Sequence, residues 1–215
     1  MLLAGDFCGK MDFGATTLET LGGEVDLFIA VIDTLGEDVY SCSFGGKGAQ
    51  IARAAAVDAK GNAVIVGSFD QAFDDGGRAV SSAGMDDIFV LALDPGGKVL
   101  WSERFGGPEA DTPRAVAIDE TGNIVLGGSF GGSVDFGGGV LTAAVGHPSA
   151  FVVQLDPGGK YVWAQTFASD DVIVNGLAIG PNGLIAATGS FAGAIDFGGG
   201  PLPTAGGDDI FVARR

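Results

Sequence analysis

An internal repeat is the feature that most constrains the fold of this chain. Two independent series of phenylalanines recur with a period of about 61 residues. The first series is spaced by 61, 62 and 60 residues: Phe28, Phe89, Phe151 and Phe211. The second is spaced by 62, 61 and 61 residues: Phe7, Phe69, Phe130 and Phe191. Two markers with one period indicate a repeated structural unit, which buries its core by stacking against neighbouring copies.

Each repeat unit predicts four short strands. In the third unit we predict strand A at 114–119, strand B at 124–130, strand C at 150–156 and strand D at 160–167. Glu-Thr-Gly-Asn separates A from B, and Pro-Gly-Gly separates C from D; Asp and Gly supply the turn conformations that such links need. Short turns force neighbouring strands to run antiparallel, so the unit is a four-stranded meander.

Both faces of the meander are expected to be covered. Strand C is apolar almost throughout, as in a sheet that is buried on both sides. Strand B contains interior glycines, which suit crowded packing near an axis: Gly67, Gly127, Gly128 and Gly189. One position in strand D is always aromatic, and we interpret it as packing between units rather than ligand stacking: Tyr40, Trp101 and Trp163. A meander covered by copies of itself is a β-propeller blade or a unit of a stacked array.

The composition excludes several classes of protein. Glycine is abundant, at 39 of 215 residues, but 47% of the chain is hydrophobic and there is no Gly-X-Y period, which excludes disordered and collagen-like chains. The formal net charge is −16, which disfavours nucleic acid and anionic membrane surfaces as partners. The longest apolar stretch, at 88–93, is too short to span a bilayer. We interpret the acidity mainly as a solubility feature.

Several motifs resemble the SBBP-type β-propeller repeat, and the resemblance covers essentially the whole chain. They lie at 87–90, 100–107, 117–123, 128–130 and 134–139. The resemblance implies repeated blades and an exported or surface-attached bacterial protein. The chain departs from the pattern at three places, which weakens individual turns: Asp75 in place of a phenylalanine, Gly180 in place of an aspartate, and Ala168-Ser169 in place of Gly-Gly.

The fold class that we predict is all-β, a partial β-propeller built of four-stranded antiparallel meander blades. Its parts are a partial blade at 1–45 (strands B, C and D), full blades at 46–106 and 107–168, and a partial blade at 169–215 (strands A, B and C). Closed propellers need about 4–8 blades, so one copy is not expected to close. A fragment of a longer exported protein is the favoured explanation; a mis-set start codon and a half-ring that self-associates through its open edges are the alternatives.

The connections indicate which end of the blades could bind a ligand. A–B and C–D turns meet at one end, whereas the longer B–C and D–A connections, such as 131–149 and 106–113, meet at the other. Loops on a rigid scaffold often carry function, so we expect a protein or carbohydrate ligand there. The candidate binding residues are Asp12, Asp74, Asp135, Asp196, Asp111 and Asp170. Recurring aspartates could contribute to a calcium site, but no Asp-x-Asp-x-Asp-Gly loop is present, so turn capping is the preferred interpretation and no cofactor is expected.

No enzyme is expected. The segment 127–131 matches the Gly-x-Ser-x-Gly nucleophile elbow, which needs a strand-to-helix turn and a histidine partner. No helix follows it, and the one histidine, His147, lies in a Gly/Pro loop. The segment 91–101 is similar to blades of quinoprotein-type propellers, so a fragment of a hydrolase or quinoprotein-like propeller is the enzyme alternative. A non-functional remnant of a larger gene is a third possibility.

The function that we predict is a non-enzymatic binding or structural module of an exported or cell-surface bacterial β-propeller protein. The first residues have no basic region typical of a signal peptide, so a signal is expected in a longer parent protein. Membrane insertion is not expected.

Cys8 and Cys42 lie two strand positions apart, too far for a disulfide, and are predicted to be free thiols.

Overall fold

Every regular element of the structure is a β-strand. The computed structural model describes residues 1–22 and 24–215, and no helix in this range is long and apolar enough to cross a membrane. All strand pairs are antiparallel except for one isolated bridge outside the named strands. The predicted all-β class is therefore confirmed.

The strands recur in the same order in each repeat unit. The first unit contains β1 (Leu2–Phe7), β2 (Lys10–Asp12), β3 (Thr17–Glu19), β4 (Asp26–Ile32) and β5 (Asp38–Phe44). The second contains β6 (Gln50–Val57), β7 (Ala63–Phe69), β8 (Ala72–Asp74), β9 (Ala79–Ser81), β10 (Asp87–Leu93) and β11 (Val99–Phe105). The third contains β12 (Asp111–Ile118), β13 (Ile124–Phe130), β14 (Ser133–Asp135), β15 (Val140–Thr142), β16 (Ser149–Leu155) and β17 (Tyr161–Phe167). The fourth contains β18 (Asp171–Ile179), β19 (Ile185–Ala192), β20 (Ala194–Asp196), β21 (Pro201–Pro203) and β22 (Asp209–Arg214).

Four main sheets result, which we number 1 to 4 along the chain. Sheets 2 and 3 have four strands in the orders β6-β7-β10-β11 and β12-β13-β16-β17, which is the predicted A-B-C-D meander. Sheet 1 has the order β1-β4-β5 and sheet 4 the order β18-β19-β22.

The B–C connection differs from the expected Gly-rich loop, because in every unit it contains a two-stranded hairpin. In the third unit β14 pairs with β15, and the Gly-rich segment 137–139 forms the turn between them. The phenylalanine next to this turn, Phe136, is buried, and its ring lies 4.9 Å from that of Phe151 in strand C. Burial of this aromatic ring holds the hairpin against the sheet.

Strand A of the third unit starts three residues earlier than predicted, at Asp111. The predicted D–A connection, 106–113, includes Pro113. In the structure it lies at a β-bulge of an edge strand, where the register shifts between Pro113 and Ala115. Edge strands and bulges are the positions where a strand accepts proline.

The sheets pack face to face through three hydrophobic clusters. In β10 every residue is buried, and alternate side chains belong to different clusters. Phe89, Leu91 and Leu93 pack with residues of sheet 1, whereas Ile88 and Val90 pack with residues of sheet 3. A third cluster joins sheets 3 and 4. The prediction that strand C is covered on both faces is confirmed for β10 and β16.

The aromatic position of strand D packs on the next sheet, as predicted. The Trp101 indole N–H donates a hydrogen bond to the Pro157 carbonyl at 3.0 Å, and its ring covers Gly159 in the C–D turn of sheet 3. Tyr40 covers Gly97 in the equivalent turn of sheet 2. The inner strands also meet, because β6 contacts β12 and β12 contacts β18.

Candidate functional site

Four of the six candidate aspartates end the first strand of a hairpin and cap its turn. Asp135 accepts hydrogen bonds at Oδ1 from the N–H groups of Gly137 at 2.7 Å and Gly139 at 3.1 Å. The other three accept the N–H of the glycine two residues further on: Asp12, Asp74 and Asp196. Each of the four belongs to a separate hairpin. In residues 1–22 and 24–215, no three His, Cys, Asp or Glu side chains form a group that could hold a metal ion.

The other two candidates lie at D–A connections. Asp170 is exposed, just before β18. Asp111, in contrast, is completely buried as the first residue of β12. Its Oδ2 accepts the N–H of Gly107, in the connection between sheets 2 and 3, at 2.8 Å. The carboxylate therefore lies at the junction of these two sheets and not on the open surface.

The D–A connections are packed tightly against the next sheet. A Cβ on Gly46 would lie 2.6 Å from the Ala72 carbonyl oxygen, and one on Gly107 would overlap the Ser133 carbonyl oxygen. Ala72 and Ser133 each begin the hairpin of the next unit. The glycines therefore allow each D–A connection to touch the hairpin that follows it, which makes this end of the sheets compact.

A buried polar group lies at the junction of sheets 2 and 3. Asp87, the first residue of β10, is completely buried, like Asp111. Its Oδ2 accepts the Ala83 N–H at 2.9 Å and is ion-paired with Arg104 of β11. The Oδ1 atoms of Asp87 and Asp111 are both buried and have no hydrogen-bond partner among the described residues.

The two carboxyl groups are close neighbours on either side of Gly106. A Cβ on Gly106 would lie 2.5 Å from Asp87 Oδ1 and 2.9 Å from Asp111 Oδ2. The pKa of Asp111 is raised to about 7, mainly by burial and also by the negative charge of Asp87, whereas the Gly107 N–H, the Gly131 N–H and the Arg104 charge act against this shift.

Asp87 and Arg104 were not among the predicted site residues, although the sequence contains a signal for them. In each of the first three units, one strand-D residue lies opposite the strand-C phenylalanine. Of these three residues only the second is charged: Ser43, Arg104 and Thr166. The position of Asp111, opposite the last phenylalanine of strand B, is also variable: Gln50, Asp111 and Val172. Comparing the units with one another shows that the charges are concentrated at one junction.

The serine of the Gly-x-Ser-x-Gly match, Ser129, lies inside β13, where it pairs with Thr112 and Ala150. His147 is exposed in the connection before β16.

Cys8 and Cys42 are free, as predicted, and burial raises the pKa of the Cys42 thiol to about 11.

The outer face of sheet 4 is apolar and exposed. Ile210 and Val212 of β22 are 87% and 76% exposed, whereas the equivalent residues of β10, Ile88 and Val90, are completely buried against sheet 3. On the other face of sheet 4, a small cavity of about 50 Å³ is lined by Trp163 and Phe197, among others. The Arg215 guanidinium lies over the Trp163 ring at 3.9 Å.

The chain is similar to parts of two longer proteins, one described as a WD repeat-containing protein and the other as a regulatory protein. An uncharacterised WD repeat-containing protein of Acanthamoeba polyphaga mimivirus is 28% identical over 131 residues, which are 55% of this chain and 9% of that protein. The regulatory protein FlaEY of Caulobacter vibrioides is 26% identical over 182 residues, which are 78% of this chain and 19% of that protein. The chain thus spans less than a fifth of the length of either relative. No protein-family model matches it.

The likeness to a WD-repeat protein and the repeated antiparallel sheets together fit a β-propeller. No closed ring is formed by the four sheets of the described residues. At this level, the chain is a repeat module built of packed antiparallel sheets.

Proposed function

We propose that the chain is a non-enzymatic binding and structural module of a longer, exported or cell-surface β-propeller protein. The observation that carries the proposal is that sheets 2 and 3 have both faces covered by neighbouring sheets. This packing commits the faces to the scaffold and leaves the two ends of the sheets for partners. The SBBP-like motifs support the exported setting, and the much longer relatives support a module within a larger protein.

Of the two ends, the one formed by the B–C and D–A connections is the better candidate for binding. Its connections are longer and carry acidic side chains such as Glu109 and Asp170, whereas the other end has only tight turns. Contacts between Gly84 and Pro108 and between Gly46 and Ala72 hold adjacent connections together. A surface that is ordered before binding loses less entropy when a ligand binds. Carbohydrate is the ligand class that we test first.

Binding of the purified chain to an array of neutral and acidic oligosaccharides tests this assignment. Glu109→Lys and Asp170→Lys reverse charges at the proposed end, and Glu120→Lys reverses an exposed charge in an A–B turn at the opposite end. We expect the first two variants to lose binding and Glu120→Lys to keep it. Equal binding by all three variants, or no glycan binding by the unmutated chain, contradicts a carbohydrate site at this end.

The structural part of the proposal concerns the exposed face of sheet 4. Ile210 and Val212 match the residue types of Ile88 and Val90, which sheet 3 buries. An apolar face of this kind fits another sheet of the same repeat, supplied by the rest of a longer protein or by the open edge of a second copy. In the isolated chain the second copy is the available partner.

Light scattering over a range of concentrations tests this docking face. The unmutated chain is expected to self-associate, and Ile210→Ser combined with Val212→Ser is expected to shift it to a monomer of 21.5 kDa. Val145→Ser, at a loop residue that is 98% exposed, is the control and should leave self-association unchanged. A monomeric unmutated chain contradicts the proposal, as does an equal effect of Val145→Ser.

A further inference from the structure

We propose that Asp87 and Asp111 share one proton across the junction of sheets 2 and 3, so that the closure of this junction depends on pH. This inference is independent of the proposed function, since it concerns how two sheets are held together and not what binds to their ends.

The burial and the unpartnered oxygens of the pair favour a bound proton. Both side chains are completely buried, and their Oδ1 atoms have no hydrogen-bond partner among the described residues. An unsatisfied buried oxygen is costly, and two ionised carboxylates this close in a buried site repel each other. A protonated carboxyl group is a hydrogen-bond donor. One proton on Asp111, donated to Asp87, provides the missing partner and removes one of the two charges.

The surrounding charges determine which carboxyl group holds the proton. Arg104 of β11 is ion-paired with Asp87, which stabilises the ionised form of Asp87. Asp111 accepts the Gly107 N–H at its Oδ2, and its pKa is raised to about 7, mainly by burial. Two other acidic residues are nearby: Asp86, whose backbone carbonyl accepts the Asp111 N–H, and Glu109, whose side chain packs on Gly131. Asp111 is therefore the protonated member.

The pair also joins two segments of chain. Asp87 holds the connection before β10 through the Ala83 N–H, and Asp111 holds the D–A connection through the Gly107 N–H. Gly84 and Pro108, in these same two segments, are in contact. Loss of the shared proton leaves two buried negative charges beside a single arginine, which pushes the two segments apart.

The sign of the pH effect follows from the raised pKa of Asp111. The folded chain binds this proton more tightly than the unfolded chain, whose aspartates titrate near about 3.9. The contribution of this carboxyl group to the free energy of unfolding is therefore most favourable below about pH 4, where the folded and the unfolded chain both bind the proton. It falls as the pH rises from about 4 to about 7 and is constant above that.

The other two junctions lack the second carboxyl group. At the junction of sheets 1 and 2, the buried Asp26 is the equivalent of Asp87. The equivalent of Asp111 there is Gln50, whose Nε2 donates to the Ala72 carbonyl at 2.7 Å. At the junction of sheets 3 and 4 the equivalents of Asp87 and Asp111 are Ser149 and Val172. Only the middle junction carries two carboxyl groups.

Urea unfolding of the whole chain at several pH values, together with carbon-detected NMR of its aspartate carboxyls, tests the proposal. We expect the unfolding midpoint to fall between pH 5 and pH 7 with a slope of about one proton, and Asp111→Asn or Asp111→Gln to abolish that slope. Asp86→Asn removes a neighbouring charge but keeps the backbone carbonyl, so it should preserve the slope.

The NMR titration of the unmutated chain is informative even if no variant folds, because one aspartate carboxyl should titrate near pH 7. In a folded Asp111→Asn variant that signal should be absent. The proposal is overturned if every aspartate titrates below about pH 5, or if the slope of the midpoint is the same in Asp111→Asn as in the unmutated chain.

Discussion

Gly128 lies directly opposite Phe151 where β13 pairs with β16, and the aromatic ring fills the space beside the glycine. The equivalent strand-B glycines of the other units also lie opposite the strand-C phenylalanine, in the pairs Gly5–Phe28, Gly67–Phe89 and Gly189–Phe211. A Cβ on Gly128 would also overlap the Thr112 carbonyl oxygen of strand A. The repeat thus keeps a glycine because two other strands already occupy its side-chain volume.

Gly128→Ala is therefore expected to destabilise the chain. The added methyl group meets backbone on one side and the Phe151 ring on the other, so the free energy of unfolding should fall by about 1–3 kcal/mol, as for other overpacked sites. Gly199→Ala is the control, since a Cβ there has nothing within 4 Å. Urea unfolding measures both. Similar midpoints for the two variants would contradict this account of the glycine.

The contact between Trp101 and the next sheet leads to a second expectation. Trp101→Phe keeps an aromatic ring near Gly159 but loses the hydrogen bond to the Pro157 carbonyl, which should lower the free energy of unfolding by about 1 kcal/mol. Tyr40→Phe is the matched control, because the Tyr40 hydroxyl makes no hydrogen bond to another described residue. Urea titration of both variants checks the difference, and an equal loss for the two would show that the indole N–H contributes nothing.

The main sheets follow from the sequence because their signals lie within one repeat unit. The run Ile124–Phe130 is apolar, has a turn before it, and forms β13 exactly as predicted. The hairpins were missed because their strands have only three residues and their turns are rich in glycine, a pattern that also describes a loop. The carboxyl pair was missed because Asp87 and Asp111 belong to different units, and only the packing of sheets brings them together.

The second unit shows how a hairpin can lose its phenylalanine. Asp75 stands at the position of Phe136, but Phe73, two residues earlier on the same side of the hairpin, stacks on Phe89 with ring centroids 4.8 Å apart. The Asp75 carboxylate accepts the backbone N–H groups of Gly77 and Arg78 and the hydroxyl of Ser102. The aromatic contact with strand C is thus retained and the aspartate is satisfied.

Transferring this arrangement to the third unit should show strong non-additivity. Phe136→Asp alone removes a buried ring and buries a charge, which should cost at least about 3 kcal/mol. Adding Val134→Phe supplies the ring, and Ala164→Ser supplies the hydroxyl at the position of Ser102. The triple variant should recover a large part of the loss in urea unfolding. A loss equal to or greater than that of Phe136→Asp would mean that the two hairpins are not interchangeable.

The A–B turn of the third unit should stabilise the fold only when its aspartate is ionised. Partial burial acts against ionisation of Asp119, but hydrogen bonds from Asn123 and Thr121 outweigh it and hold the pKa of the carboxyl below its ordinary value. A lowered pKa in the folded state gives a stabilisation that is complete above about pH 4 and is lost as the pH falls through the folded value. Asp119→Ala should therefore reduce the free energy of unfolding by about 1 kcal/mol at pH 7, and the difference from the unmutated chain should shrink as the solution is acidified below about pH 4. Glu120→Ala, at the exposed neighbouring residue, should match the unmutated chain at every pH in urea unfolding experiments. A loss for Asp119→Ala that stays constant down to pH 2 would mean that the carboxylate charge plays no part in holding the turn.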